Sequence, residues 1–173
     1  MKTIFLDRDG VINKEKNYLY KKNDFEFIDG IFEACYHFSN LGFKIIVITN
    51  QSGIGRGYYS PKDFEILTTW MLEKFMEKHI DILDVFYCPH VPEDKCRCRK
   101  PSPGMFLKAK KKYNIDMKKS WMIGDKENDI VAANSSGISQ TILVRTGHEI
   151  NAKNSSASYI LKSINKAIKI ITG

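Results

Sequence analysis

The sequence predicts an α/β fold: a single Rossmann-like domain whose mainly parallel sheet is flanked by helices on both faces. Short apolar runs rich in β-branched residues alternate with longer segments of helical periodicity. The chain has 173 residues and is 43% hydrophobic, which is enough for one core. It contains no internal repeat and no linker, so one domain is expected over residues 1–173.

Five strands and five helices account for this alternation. The strands are predicted at Thr3–Leu6, Lys44–Ile48, Leu83–Tyr87, Trp121–Ile123 and Thr141–Val144. The helices are predicted at Ile31–Leu41, Pro61–His79, Pro103–Tyr113, Asn128–Ser135 and Ser158–Ile170. Short, almost wholly apolar strands are typical of a parallel sheet that is buried on both faces.

Local signals predict several helix ends. Ser60 and Ser102 each precede a proline, and both serines are expected to cap helices whose first residue is that proline. Proline is harmless there because the first N–H of a helix has no partner within the helix. Gly42 follows Leu41 and suits the position just past a helix C-terminus.

The chain is basic, with a formal net charge of +7 from 27 Lys and Arg against 20 Asp and Glu. This excess favours an anionic partner, and a phosphorylated metabolite satisfies it as well as a nucleic acid does. Lys108 and the run 110–112 share one helical pattern without interleaved aromatic residues. That pattern is typical of a solvated helix face, so no nucleic-acid partner is expected.

The N-terminal apolar run, Ile4 to Leu6, is too short for a signal peptide or a membrane span. We therefore expect a cytoplasmic protein without a membrane partner. Disulfides are rare in the cytoplasm, so clustered cysteines there favour metal or redox chemistry.

Polar side chains follow three of the predicted strands, where the carboxyl ends of parallel strands form ligand sites. The three segments are Asp7-Arg8-Asp9-Gly10, Thr49-Asn50-Gln51-Ser52-Gly53, and Gly124-Asp125-Lys126 with Asp129. Three such turns at equivalent strand ends predict one shared site.

These residue types fit phosphoryl transfer. Of the two carboxylates of Asp7 and Asp9, one can attack phosphorus. The other can protonate the leaving oxygen and then activate water. Mg²⁺ prefers oxygen ligands, which Asp7, Asp125 and a backbone carbonyl would supply. Thr49 offers a hydroxyl donor and Lys100 a positive charge for the phosphate.

A second group of residues has the spacing of a metal site. Cys88, His90, Cys96 and Cys98 offer four ligands, and one residue separates the members of each pair. Both side chains of a pair can then face one side of an extended segment. A complete set of nitrogen and sulfur ligands suits a structural Zn²⁺ site in a loop over residues 88–98. The alternative is two unrelated pairs of residues without a metal.

The elements Asp7-Arg8-Asp9-Gly10-Val11, Thr49-Asn50, Lys100 and Gly124-Asp125 with Asp129 resemble the four motifs of the haloacid dehalogenase superfamily. The resemblance covers nearly the whole chain. It implies that Asp7 is the nucleophile, that Asp9 is the general acid/base, and that Thr49 and Lys100 are catalytic. It also implies Mg²⁺ at Asp7, Asp9 and Asp125. The intervals between motifs leave no room for an independent cap domain, so an open site beside the zinc loop is expected.

Together with the cysteine loop and Arg99-Lys100, these motifs resemble the D-glycero-D-manno-heptose 1,7-bisphosphate 7-phosphatase family, with histidinol-phosphate phosphatases as close relatives. The resemblance implies removal of the 7-phosphate on the route to ADP-heptose for lipopolysaccharide. It also implies a set of substrate contacts. They are Glu15, Lys16, Asn17, Tyr18, Asn50, Gln51, Ser52, Arg99 and Lys126. That family often has Asp-His-Gly-Tyr at positions 15–18, so here only Tyr18 matches it.

Three classes of function compete. A monomeric phosphatase of a small sugar phosphate is the first, with histidinol phosphate as the alternative substrate. A phosphatase of nucleic-acid 3′-phosphates is the second, and a non-catalytic zinc module that binds nucleic acid is the third. The third does not explain the aspartates at the strand ends. His79 and His148 have no partner nearby in sequence, and packing explains Cys35 and Trp121.

Overall fold

The computed structural model describes residues 1–172 and contains one six-stranded sheet in which every neighbouring pair is parallel. The strands are β1 (Thr3–Leu6), β2 (Lys44–Asn50), β3 (Ile82–Cys88), β4 (Trp121–Gly124), β5 (Gln140–Val144) and β6 (Tyr159–Leu161). Their spatial order is β3-β2-β1-β4-β5-β6.

Five α-helices connect these strands. They are α1 (Ile31–Asn40), α2 (Ser52–Gly55), α3 (Pro61–Met76), α4 (Gly104–Tyr113) and α5 (Glu127–Ser136). Short 3-10 helices lie at Lys22–Asp24, Pro92–Asp94, Met117–Lys119, Ala152–Asn154 and Ile164–Lys169. Within residues 1–172, none of the helices combines the length and apolar character needed to span a membrane.

Alternate residues of the strands build two separate cores. Ile4 and Leu6 pack in one cluster with Phe38 of α1 and Phe75 of α3. Phe5 points the other way, into a second cluster that contains residues of α4 and α5. Successive strand residues face opposite sides of a sheet, so this pattern buries both faces. The predicted α/β fold is confirmed.

All five predicted strands and the first four predicted helices are present, and their observed ends differ from the predicted ends by up to three residues. Ser60 caps α3 as expected: its hydroxyl accepts the Asp63 N–H at 3.1 Å, and Asp63 accepts the Ser60 N–H at 2.8 Å. Gly42 has φ +81° just past α1, as predicted. The predicted Ser102 cap is wrong, because Pro103 holds the N-cap position of α4 without a side-chain hydrogen bond.

The predicted final helix at Ser158–Ile170 is also wrong. Its first residues form β6, in which Tyr159 pairs with Ile142 of β5, and only Ile164–Lys169 is helical, as a 3-10 helix. Ile164 and Ala167 are buried at helical spacing, which explains the prediction. The segment just before this 3-10 helix pairs with the free edge of β5 and forms a strand there. Local periodicity does not reveal such a contact.

The order of the strands determines where a ligand can bind. The chain moves outward from β1 through β2 to β3, and then returns to the other side of β1 with β4. Ligands of open parallel sheets bind at such a switch point, beyond the carboxyl ends of the strands. The edge beyond Leu6 and Gly124 is therefore the expected location of the site.

Candidate active site

A pocket of about 320 Å³ opens at this edge of the sheet. Its lining combines carboxylates, cations and amides from six separate segments. The lining residues are Asp7, Asp9, Glu15, Asn17, Tyr18, Asn50, Gln51, Ser52, Arg56, Tyr59, Arg99, Lys100, Lys126, Asn128, Asp129 and His148.

Asp7 follows β1 directly, and its backbone N–H donates to the Ile123 carbonyl at 3.0 Å, which extends the β1–β4 pairing. Its Oδ1 accepts the Arg8 N–H at 2.8 Å and lies 3.0 Å from Lys100 Nζ. Burial raises the pKa of the Asp7 carboxyl well above its ordinary value, and the nearby Asp129 carboxylate adds to the rise. The Lys100 ammonium acts to lower this pKa. Oδ2 has no hydrogen-bond partner among the described residues.

Lys100 is buried and its ammonium makes three contacts. Nζ lies 2.6 Å from Asp129 Oδ1 and 3.0 Å from Asp7 Oδ1, and it donates to the Ile48 carbonyl at 2.8 Å. Burial alone would lower the pKa of Lys100, but the two carboxylates outweigh it and raise the pKa. Asn50 holds the Lys100 backbone from both sides, since it accepts from the N–H and donates to the carbonyl, each at 3.1 Å.

Asp9 is held by three side chains. Arg8 Nη2 and Asn13 Nδ2 donate to its Oδ1 at 2.9 and 3.0 Å, and Gln51 Nε2 donates to its Oδ2 at 3.1 Å. Burial alone would raise the pKa of Asp9, but the Arg8 guanidinium and these hydrogen bonds hold it below its ordinary value. Arg8 is itself buried and also donates to the Leu19 carbonyl at 3.0 Å.

Gln51 connects Asp9 to Thr49, which lies near the end of β2. Its Nε2 donates to Thr49 Oγ1 at 2.8 Å as well as to Asp9, while its Oε1 accepts the Tyr59 hydroxyl at 2.5 Å. Burial raises the pKa of Tyr59 to about 12, so the phenol remains a donor near neutral pH. Tyr59 therefore orients the Gln51 amide: because Oε1 accepts the hydrogen bond from Tyr59, Nε2 faces Asp9.

A group of three buried carboxylates lies beside Lys100. Oxygens of Asp7, Asp125 and Asp129 lie within 4.8 Å of one another. Asp125 is fully buried, and its Oδ1 has no hydrogen-bond partner among the described residues. Three buried carboxyl groups at one point offer the oxygen ligands that a divalent cation such as Mg²⁺ prefers, so this donor set fits that ion. The Asp9 side chain is not part of this group, because Arg8, Asn13 and Gln51 hold it.

Two glycines allow Asp125 to enter this position. A Cβ at Gly10 or at Gly147 would overlap the Asp125 carboxylate, and Gly10 also has φ +89°. Asp129 orders the other side, where its Oδ2 accepts the N–H groups of Asp125 and Lys126 at 3.1 and 3.0 Å. The first turn of α5 thus keeps the end of β4 in place.

The cysteine loop brings its four predicted ligands together. Cys98 Sγ lies 3.2 Å from Cys88 Sγ and 3.5 Å from Cys96 Sγ, and His90 Nδ1 lies 3.4 Å from Cys88 Sγ and 3.2 Å from Cys98 Sγ. Tetrahedral sulfur ligands about 2.3 Å from zinc would lie about 3.8 Å apart, so the set fits Zn²⁺ after small adjustments. Burial opposes the thiolate of Cys96, but the Arg99 backbone and the other thiols lower its pKa to about 7.

The loop contacts the pocket through its backbone. The Cys88 carbonyl accepts the Gln51 N–H at 2.7 Å, and the Pro89 carbonyl accepts the Gly55 N–H at 2.9 Å. Arg99 Nη1 donates to the His90 carbonyl at 3.4 Å. The side chain of Arg99 is therefore attached to the loop, whereas Lys100 is held by Asn50 and the carboxylates.

Most of the site residues predicted from the sequence meet at the pocket, and two more, Thr49 and Asp125, lie buried beneath its lining. Lys16 does not line it, because its ammonium pairs with Glu26 at 2.5 Å. His148, which has no partner nearby in sequence, has partners in the fold: its Nδ1 lies 2.6 Å from Asp125 Oδ2, and its Nε2 lies 3.9 Å from Glu15.

Sequence reasoning missed Arg56, Tyr59, Asn128 and His148 among the lining residues. Two of them had an available signal. His148 lies four residues beyond the end of β5, at the same sheet edge as the recognised motifs, and Arg56 lies shortly beyond the end of β2. For Tyr59, which lies just before α3, and for Asn128, in the first turn of α5, no local pattern distinguishes a lining residue from a solvated one.

Comparison with known proteins gives a consistent result. A HAD-hydrolase-like family model matches residues 97–167. The chain is 48% identical to the D-glycero-alpha-D-manno-heptose-1,7-bisphosphate 7-phosphatase of Photorhabdus laumondii, over 98% of this chain and 97% of that one. It is 44% identical to the D-glycero-beta-D-manno-heptose-1,7-bisphosphate 7-phosphatase of Vibrio cholerae, over 93% and 91%.

A solved structure with the same fold supports the comparison. The D,D-heptose 1,7-bisphosphate phosphatase of B. bronchiseptica, crystallised with magnesium and phosphate, superimposes with a TM-score of 0.87. It is 26% identical, and the alignment covers 98% of this chain and 97% of that one.

Proposed function

Because this chain belongs to the D-glycero-D-manno-heptose-1,7-bisphosphate 7-phosphatase family of the haloacid dehalogenase superfamily, we propose that it hydrolyses the 7-phosphate of that bisphosphate. The chain is a phosphatase, and the observation that carries its chemistry is the arrangement around Asp7. Its Oδ1 is held by Lys100 at 3.0 Å and by the Arg8 N–H at 2.8 Å, while Oδ2 is left for attack.

In the first half of the reaction, Asp7 Oδ2 forms a bond to phosphorus as the bond between phosphorus and the C7 oxygen breaks. Asp9 gives a proton to that oxygen, so the heptose 1-phosphate leaves as an alcohol. Lys100 and the Thr49 hydroxyl are proposed to stabilise the charge on the transferring phosphoryl oxygens. The enzyme is left with an aspartyl-phosphate on Asp7.

In the second half, water attacks the phosphorus atom and Asp9 takes its proton. The bond between phosphorus and the Asp7 oxygen breaks, which releases inorganic phosphate and restores the carboxylate. The hydrogen bonds from Arg8, Asn13 and Gln51 keep the Asp9 carboxylate in one orientation for this step.

Mg²⁺ would be held by the carboxylates of Asp7 and Asp125, with Asp9 contributing its backbone carbonyl because its side chain is engaged elsewhere. When bound, the ion neutralises charge on the transferring phosphate. Zn²⁺ would be held by Cys88, His90, Cys96 and Cys98 over residues 88–98, as a closed structural site.

Substrate contacts are proposed for the polar residues that line the pocket around Asp7. They are Glu15, Asn17, Tyr18, Asn50, Gln51, Ser52, Arg99 and Lys126. We also propose a monomeric enzyme. The proposal includes a cytoplasmic location, where thiols stay reduced, and a step towards ADP-heptose for lipopolysaccharide.

The direct test is to incubate the purified protein with Mg²⁺ and D-glycero-D-manno-heptose 1,7-bisphosphate and to follow both phosphates by ³¹P NMR. The C7 resonance should be replaced by inorganic phosphate while the C1 phosphate persists. Asp7→Asn is the control for contaminating phosphatases. Loss of the C1 phosphate, or a higher kcat/KM with histidinol phosphate, would contradict the proposal.

A further inference from the structure

The two carboxylate oxygens of Asp125 have different surroundings. Oδ2 accepts the His148 backbone N–H at 3.0 Å, and it also lies 2.6 Å from ring Nδ1 of the same histidine. Oδ1 is buried and has no hydrogen-bond partner among the residues that the structure describes. Burial of a carboxylate oxygen without a partner is costly unless a ligand satisfies it. Oδ1 is therefore the atom that Asp125 can offer to a cation.

The backbone around Asp125 keeps Oδ2 next to His148. A Cβ at Gly10 or at Gly147 would overlap this oxygen, so it lies between two closely packed backbone segments. The Thr146 hydroxyl donates to the Gly10 carbonyl at 2.6 Å, which joins the segment after β5 to the turn after β1. The half-buried His148 ring thus approaches Asp125 from a backbone that is itself held in place.

The other ring nitrogen of His148 faces the pocket wall. Its Nε2 lies 3.9 Å from Glu15 Oε2, while Glu15 Oε1 accepts the Asn17 N–H at 2.6 Å. A separation of 3.9 Å is too long for a hydrogen bond, whereas the contact of 2.6 Å at Nδ1 is well within range. Variants that keep only one of the two nitrogens should therefore have different consequences.

We propose that His148 is a positioning residue for the divalent cation: its Nδ1 holds Asp125 Oδ2, which leaves Oδ1 oriented to bind the ion. This inference rests on the proposed function, which assigns Mg²⁺ to Asp7 and Asp125. Removal of a group that holds a metal-binding carboxylate commonly weakens metal binding by about ten- to a hundredfold. Among the described residues, His148 forms neither a hydrogen bond nor an ion pair with Asp7 or Asp9. The expected effect is therefore on the affinity for the ion.

The test measures the binding of Mn²⁺, which shares the preference of Mg²⁺ for oxygen ligands, to the protein as purified. Electron paramagnetic resonance of the unbound ion gives its Kd without any turnover. His148→Ala should raise this Kd about tenfold, because the ring contact is lost while the backbone N–H remains. His148→Asn should recover most of the affinity, since its amide nitrogen replaces Nδ1 two bonds beyond Cβ. His148→Gln should not, because its amide nitrogen lies one bond farther out.

His79→Asn is the matched control, because His79 is exposed and outside the pocket, and asparagine tolerates its positive φ of 58°. It should leave the Kd unchanged, whereas Asp125→Asn should remove the binding. Equal Kd values for the parent and His148→Ala, or equal losses in His148→Asn and His148→Gln, would overturn the role of His148 and leave the proposed function intact. A parent protein without Mn²⁺ binding that depends on Asp125 would remove the metal site of the proposed function and this inference with it.

Discussion

The carboxylate pocket and the cysteine loop lie side by side but are held together differently. Asp7, Asp125 and Asp129 are buried at the ends of strands or at the start of a helix, and Lys100 is buried in the turn before α4. Backbone N–H groups and side chains fix these residues. Between positions 89 and 99, no residue of the loop is buried. Its conformation depends instead on four ligands around one point.

The difference indicates what each region needs. The sheet builds the pocket, so its catalytic geometry can exist before a metal binds. The loop has no core of its own, and we propose that its order comes from the ion that Cys88, His90, Cys96 and Cys98 would hold. Because Asn50 clamps the Lys100 backbone, loss of zinc should reach the pocket through Arg99 rather than through Lys100.

Asp7→Asn is the largest expected change on the side of the pocket. We expect kcat to fall by at least about a thousandfold, because the amide cannot attack phosphorus. The melting temperature should stay the same or rise, since burial and the Asp129 carboxylate already disfavour the ionised Asp7. Asp81→Asn, exposed and outside the pocket, is the control. Turnover close to that of the parent would exclude the covalent mechanism.

Lys100→Met tests whether the pocket is one electrostatic unit. Removal of the ammonium leaves Asp7 and Asp129 buried without a cation, so the free energy of unfolding should fall by about 3–5 kcal/mol. The activity should fall on the order of a hundredfold, because charge on the phosphate loses its partner. Urea unfolding and zinc content would be measured together.

Zinc content should remain that of the parent in Lys100→Met. The exposed Lys110→Met serves as the control and should change neither quantity. A Lys100→Met protein that loses zinc would show that pocket and loop are not separate.

Cys98→Ser perturbs the other region. It should lower the bound zinc to well below one ion per chain and raise KM for the bisphosphate about tenfold, while kcat changes by less than about threefold. KM should change because the position of the Arg99 side chain depends on the loop. kcat should change little because Asn50 holds Lys100 independently of the loop. Cys35→Ala, in the core and away from the loop, should keep its zinc. A collapse of kcat with KM unchanged would reverse this assignment.

Tyr59→Phe is the smallest and most selective change. Without the hydroxyl, Gln51 loses the bond that directs its Nε2 to Asp9, and kcat/KM for an alkyl phosphate should fall about fivefold. With p-nitrophenyl phosphate it should stay near that of the parent, because a nitrophenolate leaves without protonation. Equal losses on both substrates would indicate a structural effect on the pocket rather than an effect on Asp9.

How far the sequence predicts these regions depends on whether a feature is local. The buried strands have continuous apolar runs, and the catalytic motifs directly follow them, so both could be located. The cysteine spacing likewise pointed to one site. The contact between His148 and Asp125, the pairing of Lys16 with Glu26, and β6 join segments far apart in the chain or depend on a free sheet edge. Local periodicity contains no information about such contacts.

Amide hydrogen exchange on the zinc-stripped protein tests the separation of the two regions most directly. After a thiol-selective chelator removes the ion, amides of residues 89–99 should lose their protection, because no buried residue remains to hold them. Amides at the ends of β1 and β4, including the Asp7 N–H that donates to Ile123, should stay as protected as before. Loss of protection at both places would contradict the account, and so would a loop that stays protected without zinc.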